Sequence, residues 1–331
     1  MVSSRELILF GTSLLIAVLL EFIVLNAANR WNVRAVPNAR SSHSKPTPTM
    51  GGLAITIPSA GYLLLFSTVG GAPGIALAAL VLSLIGLLDD LRELSAAFRF
   101  LVQLLAVLCV VVLMDLPLPL WLGVVLGFLL IWHVNLYNFM DGIDGLAGSQ
   151  AVLFCLGALL LGGAADPGVG GVLWVVAGAS LGFLLFNWPP ARIFMGDVGA
   201  LFLGLLLPVL ALELEVSNAV PLESSLILLS VFWFDASYTL AVRLLTGQPF
   251  LQAHRSHLYQ KLAGQYGHRV TTGTFILFVV CWLFPLAWLT KAAPAYALPG
   301  LVLAVLPQLC AAALFRAGLP QSRDESLKEG E

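Results

Sequence analysis

Long apolar runs separated by short polar segments dominate this chain and restrict what it can fold into. A run of about 20 apolar residues forms a helix that can cross a hydrocarbon layer about 30 Å thick, with its backbone groups satisfied internally. Eleven such runs are predicted, at approximately 6–26, 50–69, 74–88, 99–115, 119–138, 145–164, 170–187, 198–213, 223–243, 271–291 and 294–315. Hydrophobic residues make up 59% of the 331, charged residues 10%, and the mean hydropathy is +0.96, which excludes an ordinary soluble domain. The expected fold is all-α: a polytopic membrane protein of about 11 transmembrane helices, one domain over 1–331 with a polar tail at 316–331. Pro58, Pro208 and Pro285 fall inside spans, where neighbouring helices must satisfy the freed carbonyls.

With so few charges, their placement is informative. Of the 16 Lys and Arg residues, all but Arg5 and Lys291 fall on one side if the N-terminus lies outside the cell. The positive-inside rule then predicts a periplasmic N-terminus and a cytoplasmic C-terminal tail. The first run is about 20 residues long and lacks a small-residue cleavage pattern before Arg30, so it is expected to stay as a helix. Cys109, Cys155, Cys281 and Cys310 sit in apolar runs without metal-binding spacing and are expected to be free thiols. A net charge of −2 gives no reason to expect a nucleic-acid partner.

The polar residues cluster at the cytoplasmic ends. KPTPTMGGLA at 45–54 carries Lys45, Thr47 and Thr49 ahead of Gly51 and Gly52, which let a backbone approach a ligand as the next helix starts. LLDDLRELS at 87–95 puts Asp89 and Asp90 at a helix C-terminus, where the macrodipole and mutual repulsion oppose them unless a cation is near; Glu93 shares the face of Asp90. NLYNFMDGIDGLAG at 135–148 holds Asn135, Asn138, Asp141 and Asp144, too many polar groups for an N-cap alone to explain. In FMGDVG at 194–199, Asp197 reads either as an N-cap or as a metal ligand, with Arg192 nearby as an anion donor. Asp235 lies within the ninth span and needs a partner, on Arg243 or on another helix.

The loop 243–270 contains Arg243, His254, Arg255, His257, Lys261, His268 and Arg269 and no acid. If QAHRSHLYQKL is helical, His254 and His257 share a face, and the segment is either an interfacial helix on anionic lipid or a phosphate-binding lid. Carboxylates able to hold Mg²⁺ and cations able to hold phosphates are together what phosphoryl transfer requires, because that chemistry rests on positioning and charge neutralisation. The expectation is a membrane-embedded phosphotransferase.

TPTMGG at 47–52, DD at 89–90, NFMDGIDGLAG at 138–148, FMGDVGALFLG at 194–204 and HRSH at 254–257 together resemble the polyprenyl-phosphate N-acetylhexosamine-1-phosphate transferases, in that family's order. The resemblance implies transfer of an N-acetylamino-sugar 1-phosphate from a UDP-sugar to undecaprenyl phosphate in the bacterial inner membrane. UMP is released, Mg²⁺ or Mn²⁺ serves as cofactor, and a homodimer is compatible with it. Carried over by motif, Asp197 is the principal metal ligand with Asn138 as a further oxygen ligand. Asp89 and Asp90 orient the lipid phosphate or the metal, Asp141 and Asp144 the nucleotide diphosphate and sugar, and His254 and His257 the diphosphate. Lys45, Thr49, Asn135, Arg192 and Arg255 are the remaining candidate substrate contacts. Two positions depart from the family pattern: Glu93 stands where a third Asp is common, and Ser256 interrupts a tandem histidine pair. The HRSHLYQKL segment is more similar to enzymes that start O-antigen or related surface glycans than to the muramoyl-pentapeptide branch.

Two other classes are weighed. A secondary transporter should place ionisable groups near the midplane between repeated halves, and only Asp235 fits that description. A lipid-binding scaffold would use the basic loops but leave the carboxylates without purpose.

Overall fold

The computed structural model describes residues 3–36, 45–92, 94–249, 252 and 254–320. Glu93, Arg40, His43 and the tail from 321 onward lie outside the described residues. The chain is nearly all helical: α1 (Ser4–Arg30), α2 (Leu53–Leu65), α3 (Ala72–Arg92), α4 (Ala96–Leu113), α5 (Leu120–Met140), α6 (Leu146–Leu160), α7 (Pro167–Asn187), α8 (Asp197–Val216), α9 (Leu222–Leu228), α10 (Ser230–Leu245), α11 (Leu258–Tyr266), α12 (His268–Phe278), α13 (Phe284–Ala292) and α14 (Ala297–Leu314). A short antiparallel pair, β1 (Arg34–Ala35) with β2 (Thr47–Pro48), closes the first loop.

Among the described residues, eight helices are long and apolar enough to cross a membrane, α12 and α13 counting as one span through a π turn at Val279–Leu283. The pair α9 and α10 is bent by 70° and makes a ninth as a broken span. The remaining two of the eleven expected runs are α2 and α6, of 13 and 15 residues. At 1.5 Å per residue they reach only about 20 Å, so neither spans a 30 Å layer unaided. The expected runs 50–69 and 145–164 are longer because they also take in 50–52 and 66–69 around α2 and 145 and 161–164 around α6, which are apolar or small residues outside the α-helices.

Helices α7 and α8 are the most buried of the spans and form the centre. Helix α7 packs against α1 and α6, and α8 against α3 and α5. The lipid-compatible faces of α1, α4 and α14 remain outside, with Leu15, Leu105 and Leu298 exposed. Two glycines fix the crossings at the polar end of α8. A Cβ on Gly52 would collide with the backbone of Gly199, and one on Gly86 with that of Asp197, so α2 and α3 both touch the first turn of α8 backbone to backbone. Those close approaches position the candidate site.

The break between α9 and α10 is braced by polar side chains from two other helices. Gln150 Nε2 donates to Leu228 O at 3.2 Å, and Gln308 Nε2 donates to Ser230 Oγ at 2.8 Å. Carbonyls freed at a kink need such partners in an apolar surrounding.

Candidate active site

The site is built around the N-terminus of α8. Gly51 N and Gly52 N donate to Phe194 O and Met195 O at 2.9 and 2.8 Å, and Phe194 N donates to Pro48 O at 2.8 Å. These backbone bonds dock the TPTMGG segment onto the irregular segment entering α8. It puts the buried Thr49 hydroxyl and the Asp90 carboxylate on either side of Gly196. Asp197 is the first residue of α8 and not its cap; the N-cap is Gly196, which has no side chain to offer. Asp90 supplies the cap from α3, accepting from Asp197 N through Oδ1 at 3.3 Å. Capping by a carboxylate from another helix leaves the Asp197 side chain free for other work.

Asp89 and Asp90 diverge, as adjacent residues on a helix must. Asp89 Oδ1 accepts from Leu94 N at 2.6 Å, and its Oδ2 pairs with Arg99 from α4. The same Arg99 Nη1 lies 3.6 Å from Asp197 Oδ2, so one guanidinium links the carboxylates of α3 and α8. Asn138, in the last turn of α5, lies beside the Asp197 carboxylate. Asp141 is the C-cap residue of α5, with Asp197, Asp90 and Asp144 as its charged neighbours. Burial first, and then those three carboxylates, push the Asp141 carboxyl well above the usual range. Such repulsion calls for positive charge from outside the cluster.

Asp144 is tied to two elements, the connection between α7 and α8 and the first turns of α12. Its Oδ2 accepts from Ala191 N at 3.0 Å, its Oδ1 lies 3.2 Å from His268 Nδ1, and its carbonyl accepts from Thr272 Oγ1 at 2.8 Å. Asn187 fixes the same turn, accepting from Gly145 N at 2.9 Å while donating to Ile193 O at 2.9 Å. The DGIDG turn is thus anchored to the connection between α7 and α8 at Asn187 and Ala191.

The histidine segment differs from its expected form. Residues 254–257 are not helical; α11 begins at Leu258 with His257 as N-cap. A helix that includes His254 would place its open N–H groups elsewhere, whereas here the buried Asp235 of α10 accepts from Leu258 N and Tyr259 N, both at 2.9 Å, and so caps α11. That is the partner Asp235 needs. Arg243 serves a different purpose, donating to Gln248 Oε1 and Pro249 O at 3.0 Å each and to Ser256 Oγ at 3.4 Å. The two histidine rings still meet, with centroids 4.9 Å apart. Tyr259 Oη donates to Phe139 O at 2.8 Å and packs on Gly142, which seats the segment against the DGIDG turn. Replacing Asp235 with Ala is expected to cost roughly 2 kcal/mol in a detergent melt, because two buried N–H donors lose their acceptor. Asp235→Asn, which keeps an acceptor oxygen, should cost less.

Burial, then the neighbouring His257 and Arg243, lower the His254 pKa from the ordinary 6.5 to about 4. His254 is therefore neutral near pH 7 and acts as a hydrogen-bonding group, leaving the exposed Arg255 as the fixed charge of the segment. As pH falls below about 6.5 the unfolded chain takes up a proton that the folded chain refuses until about pH 4. This group thus weakens the fold progressively across that window and contributes nothing above it. The fall in melting temperature between pH 7 and pH 5 should be smaller in His254→Gln; an identical fall would remove His254 as its source.

Some sequence candidates stand apart from the carboxylates. Arg192 holds its guanidinium 4.6 Å over the Phe186 ring and donates to Leu185 O at 3.3 Å, so it serves the C-terminal end of α7. Asn135 donates to Gln103 Oε1 at 2.9 Å and to Ile131 O at 2.8 Å, which joins α5 to α4. Lys45 is exposed at the start of the β2 segment. Arg99, Tyr259 and His268 are site neighbours that the motifs did not single out. Arg99 carried only a topology signal, and nothing in sequence ties it to a residue ten positions earlier on another helix.

The oxygen donors suit a hard divalent cation. Asp90 Oδ2 is buried without a hydrogen-bond partner, and Thr49, Asn138, Asp89 and Asp197 offer only oxygen or amide groups around it. Among the described residues no three His, Cys, Asp or Glu side chains converge closely enough to enclose a metal ion by themselves. Oxygen and amide donors of this kind fit Mg²⁺ better than zinc, since Mg²⁺ commonly takes one or two carboxylates and completes its shell with water and substrate phosphate.

Residues 72–215 match the family model described as glycosyl transferase family 4. The chain is 32% identical over 304 residues, 86% of its own length and 84% of the other's, to the probable undecaprenyl-phosphate N-acetylglucosaminyl 1-phosphate transferase of Bacillus subtilis. This chain belongs to glycosyl transferase family 4. It is also 34% identical over 239 residues to the decaprenyl-phosphate N-acetylglucosaminephosphotransferase of Mycolicibacterium smegmatis, covering 61% of this chain and 59% of that one. Over 233 residues it is 37% identical to a phospho-N-acetylmuramoyl-pentapeptide-transferase of Synechococcus, covering 61% and 67%. The family match contains Asp89, Asp90, Asn138, Asp141, Asp144 and Asp197 and ends before the histidine segment.

Proposed function

We propose that this chain transfers an N-acetylamino-sugar 1-phosphate from a UDP-sugar to undecaprenyl phosphate, releasing UMP, as the first membrane step of a surface glycan such as O-antigen. The observation that carries this reading is the approach of Asp89, Asp90 and Asn138, from α3 and α5, to the first turn of α8 and Asp197, with Asp141 as a charged neighbour. Such donors would hold Mg²⁺ close to the groups proposed to receive a diphosphate.

In the reaction an oxygen of the lipid phosphate forms a bond to the sugar-bearing phosphorus, and the bond from that phosphorus to the bridging oxygen breaks, leaving UMP with the electron pair. A phosphomonoester with a second pKa of about 6 is already mainly the dianion at neutral pH, so the attack needs no strong base. Bound Mg²⁺ would neutralise charge on the diphosphate as it passes to UMP. Asp197 and Asn138 would hold it, and Asp90 would fix the α8 N-terminus that presents Asp197. Arg99 limits repulsion between Asp89 and Asp197. Arg255, His257 and the neutral His254 would donate to the donor diphosphate.

The test is release of UMP from UDP-N-acetylglucosamine by membranes containing the chain, with undecaprenyl phosphate and Mg²⁺, and loss of release with a chelator. Release independent of the lipid acceptor would overturn the reading. The identity to the Synechococcus protein favours a second donor, a UDP-N-acetylmuramoyl-pentapeptide, and a panel that includes it separates the two.

Both donors are cytoplasmic nucleotides, so the site should face the cytoplasm of a bacterial inner membrane. In a background without the native cysteines, Gln252→Cys should be labelled by an impermeant reagent only from the cytoplasmic side and Asn218→Cys only from outside. Labelling of both from one side would break the orientation.

A further inference from the structure

A second element holds the histidine segment and takes no part in the chemistry just described: the turn that follows α14. Gly318 N donates to Ser256 O at 2.8 Å, and Gln248 Nε2 donates to Gly318 O at 2.8 Å. Lys261 Nζ, from α11, donates to Leu319 O at 3.3 Å. The turn is pressed onto α10: Ala317 is buried, and Gly318 has φ +81° with Val242 Cβ at 2.7 Å and Thr239 O at 2.9 Å from where its own Cβ would stand. One backbone bond of the turn therefore lands on Ser256, between Arg255 and His257. The Ser256 hydroxyl is held from the opposite direction by Arg243 and lies 2.9 Å from His254 Nδ1.

We propose that the turn 316–320 is a positioning element for the nucleotide-sugar, fixing His254, Arg255 and His257 in the arrangement that receives the donor diphosphate, with Gly318 as its positioning residue. The proposal rests on the transfer reading above. Among the described residues of 246–257, none lies in a helix or strand. Ordering such a loop on binding would subtract its lost entropy from donor affinity, and a loop ordered beforehand avoids that loss. The bonds from the turn go to the loop and to α11 and not to the carboxylates, so donor binding should feel their loss more than the chemical step or the lipid acceptor does.

The experiment uses the full chain in detergent and compares wild type with Gly318→Val and Gly318→Ala. A side chain at this φ is strained and meets Val242, which should lift the turn. Two readouts are taken: amide hydrogen exchange over 248–262, and steady-state kinetics with UDP-N-acetylglucosamine and undecaprenyl phosphate. Expected are faster exchange confined to 248–262 and a KM for the UDP-sugar raised roughly fivefold to tenfold, with kcat and the KM for the lipid within about twofold. The Ala variant should show the same split at smaller amplitude and stands in if the Val variant does not fold. Unchanged exchange would overturn the clamp, and faster exchange with an unchanged donor KM would overturn its role in positioning. A uniform fall in kcat with both KM values unchanged would assign the turn to stability alone. Absence of UMP release by the wild type from any UDP-sugar would instead overturn the transfer reading, and the exchange result would still decide whether the turn holds the loop.

Discussion

Asp197→Asn is expected to lower UMP release by a factor on the order of 100 to 1000 while leaving the folded protein in the membrane. The carboxylate sits on the first residue of α8 and caps nothing, since Asp90 bonds the open N–H there. The charge of Asp197 therefore adds only a modest macrodipole contribution, about 0.3–1 kcal/mol, to the helix. What depends on it is the negative charge offered to a cation, beside Asn138 and the Arg99-paired Asp89. The measurement is initial-rate UMP release across a Mg²⁺ titration, with size exclusion and a thermal melt as controls for folding. Excess Mg²⁺ should recover part of the rate if weakened metal affinity is the cause. Wild-type activity at all Mg²⁺ concentrations would remove Asp197 from the metal site.

Gly52→Val is expected to have the largest effect on folding, at least about 3 kcal/mol, and to sharply reduce the yield of folded protein. A side chain there meets the Cα and N of Gly199 and the carbonyl of Met195, which are backbone atoms that cannot rotate away. Helix α2 would have to leave α8, breaking the bonds from Gly51 N and Gly52 N to Phe194 O and Met195 O and withdrawing Thr49 from Asp90. By contrast, Gly61→Ala in the same helix meets nothing within 4 Å and should be close to neutral. Comparing the two in a detergent melt separates the crossing from general helix propensity. Equal stability of both variants would mean that the crossing at Gly52 is not tightly packed.

The helical class and most helix boundaries were legible because they depend on local content. An apolar run such as 170–187 has no alternative to a buried helix, and α7 occupies Pro167–Asn187. The DGIDG and FMGD motifs were equally legible, since acids beside glycines within apolar surroundings are costly unless they serve a site. Helix α2 and the 254–257 segment were misjudged for one reason: composition records apolarity and spacing but not the partner that ends a helix. The start of α11 is set by Asp235, more than twenty residues earlier on a different helix, and the start of α8 by Asp90 on α3. The same limit hid Arg99, which by sequence is one more cytoplasmic cation and in the fold joins Asp89 to Asp197. It also hid the partners of Arg192 and Asn135, which are the Phe186 ring and Gln103. From the sequence alone came the membrane class, most of the spans and the acids of the candidate site, because burying a charge or exposing an apolar run costs energy in any fold. Which carboxylate caps a helix and which is left for a cation was decided only by the tertiary structure, because the closeness of α2 and α3 to α8 at Gly52 and Gly86 is a contact between distant parts of the chain.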